Sequence, residues 1–365
     1  MDLSAHSADS NLDVEVLGFG ELSISDNPFP RQKIHSLPVQ CSTAYIYSPK
    51  LRNWINENLM RFDGVILHGM WLYPNWAFFK ACTKANIPFI CFPHGMLEPW
   101  AIYRQGALKA AKKILYWLLR ERKIFSAASG IFFTTIRERT LAQQIFNLPP
   151  VSRIVVPYGM PPLGSAPIQP ARADLAFSSS RKIALFLGRV HPKKNVDFLI
   201  EAWAAANPDS DWLLVVAGPS DPAYQRRLNT LTMRYQLQEQ VRFVGPVWGT
   251  DKAYLLGRAS WFLLPSQQEN FGISVLEAVN AGCPVAISDQ VFLSDYFGKG
   301  SEILPVRLAS WVEFLRDRMP DEKHRQHMIS LDSAHVIPLF SINAVARNWV
   351  RSITLVFDAA KTKQT

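Results

Sequence analysis

Short apolar runs alternate with longer helical segments along almost the whole chain, and this alternation limits the fold to a few classes. In the first half, the candidate strands are 14–19, 64–68, 88–92, 130–134 and 153–156. In the second half, they are 182–187, 212–217, 241–244, 260–264, 284–288 and 302–305. Continuous apolar runs between helices are typical of parallel strands that are covered on both faces. The sequence therefore predicts an α/β protein with two doubly wound sheets.

The length and a change in composition divide the chain. A chain of 365 residues is long enough for two α/β domains. Proline, glycine and serine dominate the stretch before residue 181, where apolar periodicity is lost. We predict an N-terminal, acceptor-side domain over 1–162, a linker over 163–180 and a ligand-binding domain over 181–340. Residues 341–365 are predicted to form a C-terminal helix that packs back toward the N-terminal domain.

Charge and cysteine usage narrow the class of partner. The net charge of +9 favours anionic partners such as nucleotide phosphates or lipid headgroups. No zinc-finger spacing or basic-region heptad occurs, so we expect no nucleic-acid partner. The four cysteines are scattered and form no CxxC pair, and the polar first residues do not resemble a signal peptide. We therefore expect free thiols and a reducing, cytoplasmic location.

A basic motif follows the first strand of the C-terminal half. It reads ALFLGRVHPKKNVDFLIEAW over 184–203. Gly188 permits a tight turn after the strand, and Arg189 and Lys194 precede a helix whose N-terminus attracts anions. Such a cluster could bind a diphosphate without a metal. The alternative is an ordinary basic loop that faces water.

A second motif, ASWFLLPSQQENFGISVLEAVNAGCPVAISD, covers 259–289. Glu269 lies in the loop after a strand, and Glu277 lies inside the following helix. Asn270, Phe271 and Gly272 place backbone N–H groups at the start of that helix. Ligands of open α/β sheets bind beyond the carboxyl ends of the strands, where this loop lies. Ionised carboxylates suit sugar hydroxyls, although a single glutamate on a helix is more often an exposed charge.

The N-terminal half offers candidates for an acceptor site. His94, in PHGMLEPW, comes directly after a strand and could therefore lie at a ligand-binding edge. His68 ends an earlier strand and is followed by Trp71 and Tyr73, whose rings could stack on sugars. Core packing explains these aromatic side chains equally well.

The stretch from Arg104 to Lys123 combines seven basic residues with one acid and several leucines. A basic amphipathic helix of this kind can lie on an anionic membrane surface. A helix that packs its apolar side inward fits the pattern equally well. No uncharged apolar stretch is long enough to cross a membrane.

The second motif resembles a known family. The spacing of Glu269 and Glu277 reproduces the E-x7-E signature of retaining, group-one glycosyltransferases of the GT-B fold, and PS-x-x-E-N-F-G and GR…KK also match. The resemblance implies two Rossmann-like domains that face each other across a cleft. It also implies that Arg189 and Lys194 hold the donor diphosphate, that Glu277 binds the ribose, and that Glu269 and His94 act at the donor sugar.

The resemblance further implies the reaction. A sugar would move from a nucleotide-diphosphate donor to a glycan or lipid-linked acceptor, with retention of configuration and with no metal or other cofactor. The DxD spelling at Asp209–Asp211 precedes a strand, so we interpret it as a turn. Peripheral contact with the inner face of the membrane would run through 104–123. Two alternatives stay open: a nucleotide-sugar epimerase of the same fold, and a non-catalytic scaffold. Asn195 departs from the family, which usually has glycine there.

The resemblance also raises a question about the N-terminal sheet. Similar proteins begin with a strand and a Gly-Gly loop before a strand like 14–19, and that first strand is central in the sheet. We therefore expect the N-terminal domain to lack its first strand and to have poor activity. In the alternative interpretation, 14–19 is the first strand and Gly18-Phe19-Gly20 is its loop. Two prolines and the lack of helical periodicity in 23–33 disfavour it.

Overall fold

The computed structural model describes residues 12–20, 33–40, 45–103, 106–160 and 169–362. Its strands are β1 (Glu15–Phe19), β2 (Lys33–Leu37), β3 (Val65–His68), β4 (Phe89–Phe92), β5 (Gly130–Phe133), β6 (Ser152–Val155), β7 (Lys182–Leu187), β8 (Trp212–Ala217), β9 (Val241–Gly245), β10 (Trp261–Leu264), β11 (Val285–Ser288) and β12 (Glu302–Leu304). Its α-helices are α1 (Leu51–Asn58), α2 (Tyr73–Ala85), α3 (Pro99–Tyr103), α4 (Ala107–Tyr116), α5 (Arg122–Ala127), α6 (Ile136–Ile145), α7 (Val196–Ala206), α8 (Pro222–Arg234), α9 (Gly249–Arg258), α10 (Ile273–Asn280), α11 (Leu308–Glu313), α12 (Glu322–Phe340) and α13 (Ile342–Thr362).

The chain divides into two compact units. The first contains residues 1–159 and 342–365, and the second contains residues 160–341. Of the predicted linker, 163–168 lie outside the described residues, whereas 169–180 belong to the second unit. The backbone N–H groups of Ala171 and Arg172 donate to the Asp251 carboxylate, and Leu175 is fully buried. These contacts fix the C-terminal part of the predicted linker against α9.

The second unit is built around a six-stranded parallel sheet with the order β12-β11-β10-β7-β8-β9. Its central strands β7, β8 and β10 are buried along nearly their whole length, as the continuous apolar runs predicted. Helices cover the faces. Helix α8 begins where the Asp221 side chain accepts hydrogen bonds from the backbone N–H groups of Ala223 and Tyr224. The predicted doubly wound arrangement is confirmed in this unit.

The first unit holds two parallel ladders, β3-β4-β5-β6 and the pair β1-β2. Strand β2 was not predicted, because its sequence, KIHSL, is short, partly polar and preceded by two prolines. Helix α13 packs Ile353 and Val356 against Phe92 and Phe132 of this unit. The ligand-binding candidates of the unit follow β3 and β4. The expected absence of a preceding strand stays a prediction.

Helix length and hydropathy bear on membrane insertion. None of the helices in the described ranges is both long and apolar enough to span a bilayer.

Cys82, Cys91 and Cys283 are free and buried, whereas Cys41 lies outside the described residues. Burial raises the pKa of each of these three thiols, which keeps them protonated and unreactive.

Two glycines at the ends of β7 and β8 lie in very close contact. A Cβ atom on Gly218 would lie 1.8 Å from the carbonyl oxygen of Gly188, whereas a Cβ on Gly188 would meet nothing within 4 Å. We predict that Gly218→Ala lowers the free energy of unfolding by about 3 kcal/mol, because backbone must move to admit the methyl group. The matched control Gly188→Ala shares a positive φ, +158° against +142° at Gly218, but not the clash, so it should lower the free energy of unfolding by no more than about 1–2 kcal/mol. Urea unfolding followed by tryptophan fluorescence measures both, and equal effects would contradict the packing described.

Candidate functional site

The loops after β7 and β10 meet at the carboxyl edge of the second unit's sheet. The backbone N–H of Gln267 donates to the carbonyl of Lys193 at 2.9 Å, and its side-chain amide donates to Asn195 at 3.1 Å. These bonds join the two sequence motifs although more than seventy residues separate them. The edge is the one at which ligands of open α/β sheets bind.

Lys194 and Glu269 form an ion pair at this edge. Each side chain is 18% exposed, so the pair is largely withdrawn from water but still reachable. Burial and the cations of Lys193 and Arg189 lower the pKa of Lys194, and the Glu269 carboxylate opposes that shift by favouring the charged form. The pairing supports the prediction that the two motifs form one site.

Arg189 is exposed and forms no ion pair within the ranges that the structure describes. Burial, and then the nearby cations of Arg189, Lys193 and Lys194, lower the pKa of His191. The region after β7 is therefore electropositive, and Arg189 is available for an anionic ligand. A planar guanidinium beside an ammonium suits two phosphate groups.

Glu277 is also paired, with Lys252 of α9, at 2.6 Å between Nζ and Oε1. The Glu277 side chain is 15% exposed and that of Lys252 is 33% exposed. Sequence reasoning missed Lys252, because nothing in the sequence relates an ordinary basic residue of one helix to a carboxylate of another. The ion pair fixes one carboxylate oxygen, and the second can still accept hydrogen bonds.

The backbone conformation at Asn195 explains why the family usually has glycine at this position. Asn195 has φ +62°, in the left-handed region that glycine adopts freely and asparagine tolerates. Gly272, which precedes α10, has φ +81°. Phe271 is buried and packs edge-to-face on Phe340, so its side chain is structural. Asn270 is half-buried beside it.

In the first unit, the structure brings together His68 and His94. Their ring planes are nearly parallel, 9° apart with centroids 5.1 Å apart, and His68 Nδ1 lies 2.8 Å from His94 Nε2, so the rings meet edge to edge. The other ring nitrogen of His94 is hydrogen-bonded to the Tyr158 hydroxyl. Tyr158 was not predicted to be a site residue. It follows β6 as His94 follows β4, and this position after a strand was the signal that identified His94. The predicted histidine therefore belongs to a row of three aromatic side chains.

The loop that carries His94 is fixed by a buried carboxylate. His94 itself has φ +52°, and Gly95 donates its backbone N–H to Glu138 at 2.5 Å. Glu138 also accepts from the backbone and the hydroxyl of Thr134, both at 2.7 Å. Thr135 caps α6 by accepting from the backbone N–H of Glu138. An unusual backbone conformation is thus held in place by charge-assisted hydrogen bonds.

The remaining acceptor-side candidates are partly structural. Trp71 has φ +66°, and its backbone N–H donates to the buried Glu121 at 2.9 Å. Burial raises the pKa of Glu121 to about 7. Tyr73 begins α2 and contacts the ring of Tyr47. Both aromatic side chains pack partly on the core, so the structure leaves either interpretation open.

No cluster of three or more His, Cys, Asp or Glu side chains that could hold a metal occurs in the described part of the chain. In the DxD sequence, Asp211 pairs with Lys182 at 2.9 Å, and the Asp209 carbonyl accepts from the backbone N–H of Trp212. Both contacts lie at the start of β7 and β8, opposite the edge that carries Glu269. The interpretation of this sequence as a turn agrees with these contacts.

The histidine pair gives a pH-dependent prediction. Burial, and then the neighbouring His68, lower the pKa of His94 from its usual value near 6.5 to about 3. The unfolded chain therefore takes up this proton near pH 6.5 and the folded chain only near pH 3, so the free energy of unfolding falls as the pH drops below 6.5. Between pH 7 and pH 5, we expect the wild type to lose about 2 kcal/mol more than His94→Gln. Urea unfolding at both pH values measures this.

The exposed His327 provides a control for that experiment. His327→Gln should lose as much stability between pH 7 and pH 5 as the wild type does. If His94→Gln lost as much as the wild type, His94 would not be the buried neutral group described.

Comparison with known proteins follows the same division of the chain. Residues 168–330 match the family described as glycosyl transferases group 1, and residues 1–159 match the glycosyl transferase 4-like domain. A D-inositol 3-phosphate glycosyltransferase of Kineococcus radiotolerans is 27% identical over 233 residues, which cover 58% of this chain and 54% of that protein. The chain thus spans about half the length of the curated relatives that it matches first.

Solved structures share the fold. Sucrose-phosphate synthase from Thermosynechococcus elongatus has a TM-score of 0.74 at 19% identity, over 98% of this chain and 92% of that one. Anabaena HepE, solved in complex with UDP and glucose, has a TM-score of 0.71 at 15% identity, over 88% of this chain and 86% of that one. Together, the two family matches and the shared architecture show that the chain belongs to the group 1 glycosyltransferases of the GT-B fold.

Proposed function

We propose that this chain transfers a sugar from a nucleotide-diphosphate donor that binds at the carboxyl edge of the second unit's sheet. One observation carries the proposal: two carboxylates, Glu269 and Glu277, are each paired with a lysine, and the exposed Arg189 lies close enough to Lys194 to lower its pKa. The cations suit a diphosphate, and the carboxylates suit sugar hydroxyls. The structural neighbour that binds UDP and glucose supports a uridine diphosphate donor.

Each side chain has a role in this proposal. Arg189 and Lys194 bind the diphosphate, and Lys194 turns from Glu269 toward the phosphate oxygens as the donor enters. Glu269 is then free to accept hydrogen bonds from the donor sugar. Glu277, held by Lys252, accepts the hydroxyls of the ribose. The backbone around Asn270 and Gly272, before α10, adds the positive end of a helix.

The proposed reaction needs no metal and retains the anomeric configuration. Charge develops on the leaving diphosphate, and preorganised cations stabilise it in place of a divalent metal. Retention is the outcome in the family that the E-x7-E spacing resembles. The acceptor is proposed to be a glycan or a lipid-linked saccharide that binds the first unit near His68, Trp71 and Tyr73. His94 is proposed to act at the transferred sugar.

The donor site gives a direct binding prediction. Arg189→Ala should weaken the binding of UDP by about 1.5–3 kcal/mol, the scale of charge-assisted hydrogen bonds, as measured by calorimetry in a chelating buffer. The control Arg226→Ala removes the same charge from an exposed site on α8 and should leave affinity unchanged. Equal losses in the two variants would show that only net charge matters and would reject the site.

Turnover separates the proposed reaction from its alternatives. Wild-type protein, nucleotide sugar and acceptor in a chelating buffer should release nucleotide only when the acceptor is present. Proton NMR should show the donor's anomeric configuration in the product. Sugar isomerisation without acceptor would indicate an epimerase instead, binding without turnover would indicate a scaffold, and rescue by magnesium would contradict metal independence.

We further propose that the acceptor side of the protein rests on a membrane. Helices α4 and α5 run on through a π-helical turn at Trp117–Glu121, and their inner face buries Ala110, Trp117 and Ile124. The helix thus packs part of its apolar surface inward, and a second set of apolar side chains, with exposed fractions of 38–86%, remains outside: Leu108, Ile114, Leu115, Leu118 and Leu119.

The positive charge on helices α4 and α5 indicates which kind of surface the exposed leucines would contact. Lys109, Lys112 and Lys123 are exposed around these leucines, whereas Arg104 lies outside the described residues. Exposed leucines with lysines around them fit the interface of an anionic bilayer, in which apolar side chains insert and cations meet headgroups. This surface would bring the first unit to a lipid-linked acceptor at the cytoplasmic face.

Vesicle flotation tests the membrane proposal. The double variant Leu115→Ser/Leu119→Ser should lower partitioning onto vesicles rich in phosphatidylglycerol by about tenfold or more, because two side chains no longer insert. Leu339→Ser, which changes an exposed leucine of the second unit, is the control. Wild-type binding should fall with added salt. No binding of the wild type to anionic vesicles would contradict the proposal.

A further inference from the structure

Three aromatic side chains of the first unit form a continuous hydrogen-bonded row. Tyr158 and His94 follow β6 and β4, and His68 is the last residue of β3, so all three lie at the carboxyl ends of strands. The ring planes of His94 and Tyr158 are nearly parallel, 15° apart with centroids 5.8 Å apart, and those of His68 and His94 are 9° apart, so each pair meets edge to edge. Hydrogen bonds link Tyr158 Oη to His94 Nδ1, and His94 Nε2 to His68 Nδ1.

All three groups are uncharged at neutral pH. Burial, and then the neighbouring His68, lower the pKa of His94 to about 3. His68 is exposed to solvent, but its ring also packs beside Phe92 and His94, and the resulting loss of hydration lowers its pKa, so both imidazoles are neutral. Burial, together with the Glu138 carboxylate, raises the pKa of Tyr158, so its phenol keeps its proton. A neutral imidazole has one donor nitrogen and one acceptor nitrogen. The two hydrogen bonds must therefore point the same way along the row, with the donors either all on the Tyr158 side or all on the His68 side. The direction of one bond fixes the direction of the other.

The acidities of the groups select the direction. A phenol, with a pKa near 10, gives up a proton far more readily than a neutral imidazole N–H does. An imidazole nitrogen is also the better acceptor, since it takes up a proton near pH 6.5 in water. The favoured bond therefore has the Tyr158 hydroxyl donating to His94 Nδ1. His94 then carries its proton on Nε2 and donates it to His68 Nδ1.

We propose that Tyr158 is a positioning residue that holds both histidines in the Nε2–H tautomer, so that His68 Nε2 presents a hydrogen-bond donor outward. His68 is exposed, and its Nε2 makes no hydrogen bond within the described part of the chain. The row strengthens this outward donor, because each bond polarises the next.

This inference rests on the proposed function for the identity of the ligand, an oxygen-rich saccharide whose hydroxyl or phosphate oxygen accepts from His68. It assigns to His68 the donation of a hydrogen bond. Proton removal by the same nitrogen would require both hydrogen bonds of the row to reverse. Because both ring nitrogens of His94 are bonded within the row, the proposed action of His94 at the transferred sugar is exerted through His68.

Nitrogen-15 NMR of labelled histidines tests the tautomers without any substrate. In the wild type, both His68 and His94 should show the proton on Nε2 and a bare Nδ1 at pH 7. Tyr158→Phe keeps the ring and removes the donor, so His94 should become a mixture of tautomers. Tyr235→Phe, in the second unit, is the control and should leave both histidines unchanged. Thermal unfolding of the variants checks that they are folded.

Kinetics give the second measurement. Tyr158→Phe should lower kcat about five- to twentyfold with the donor KM unchanged, the scale of one lost hydrogen bond. A wild-type His94 with its proton on Nδ1, or unchanged tautomers in Tyr158→Phe, would overturn the inference. If the wild type binds no nucleotide sugar, the proposed function fails, and the tautomers still decide whether the row runs as inferred.

Discussion

The parallel arrangement of strands brings the carboxyl ends of distant segments to one edge of each sheet, and both candidate sites depend on that edge. In the second unit, the loops after β7 and β10 meet there and bring Lys194 to Glu269. In the first unit, residues after β3, β4 and β6 meet and align His68, His94 and Tyr158. Neither group could form from its local sequence, because each member comes from a different strand.

These polar groups must also be stabilised by partners within the protein, because they are partly buried when no ligand is bound. An unpaired carboxylate or ammonium withdrawn from water would destabilise the fold. Here, Lys194 pairs with Glu269 and Lys252 pairs with Glu277. In the first unit, loss of hydration lowers the pKa of both histidines and keeps them neutral, and each still has a hydrogen-bond partner. The ligand-free protein thus keeps the chemistry needed for binding in a satisfied state.

Much of this architecture could be predicted from the sequence, because buried parallel strands are long apolar runs. The boundaries of β7 and β8 coincide with the predictions, and those of most other strands differ by one residue. Strand β2 could not be predicted, since KIHSL is stabilised by pairing with β1 rather than by its own apolar content. The E-x7-E spacing identified the two carboxylates, but the partner Lys252 depends on how α9 packs beside α10. The special backbone at Asn195 was indicated only by the glycine that the family prefers there.

The central claim is that cations and a helix start at the edge of the second unit bind a diphosphate without a metal. The most direct test is calorimetric titration of the wild-type protein with UDP and, separately, with UMP, in a chelating buffer at one salt concentration. The account predicts that UDP binds at least about tenfold more tightly, because the second phosphate gains charge-assisted hydrogen bonds from Arg189 and Lys194. Equal affinity for the two nucleotides, or binding of UDP only after magnesium is added, would contradict it.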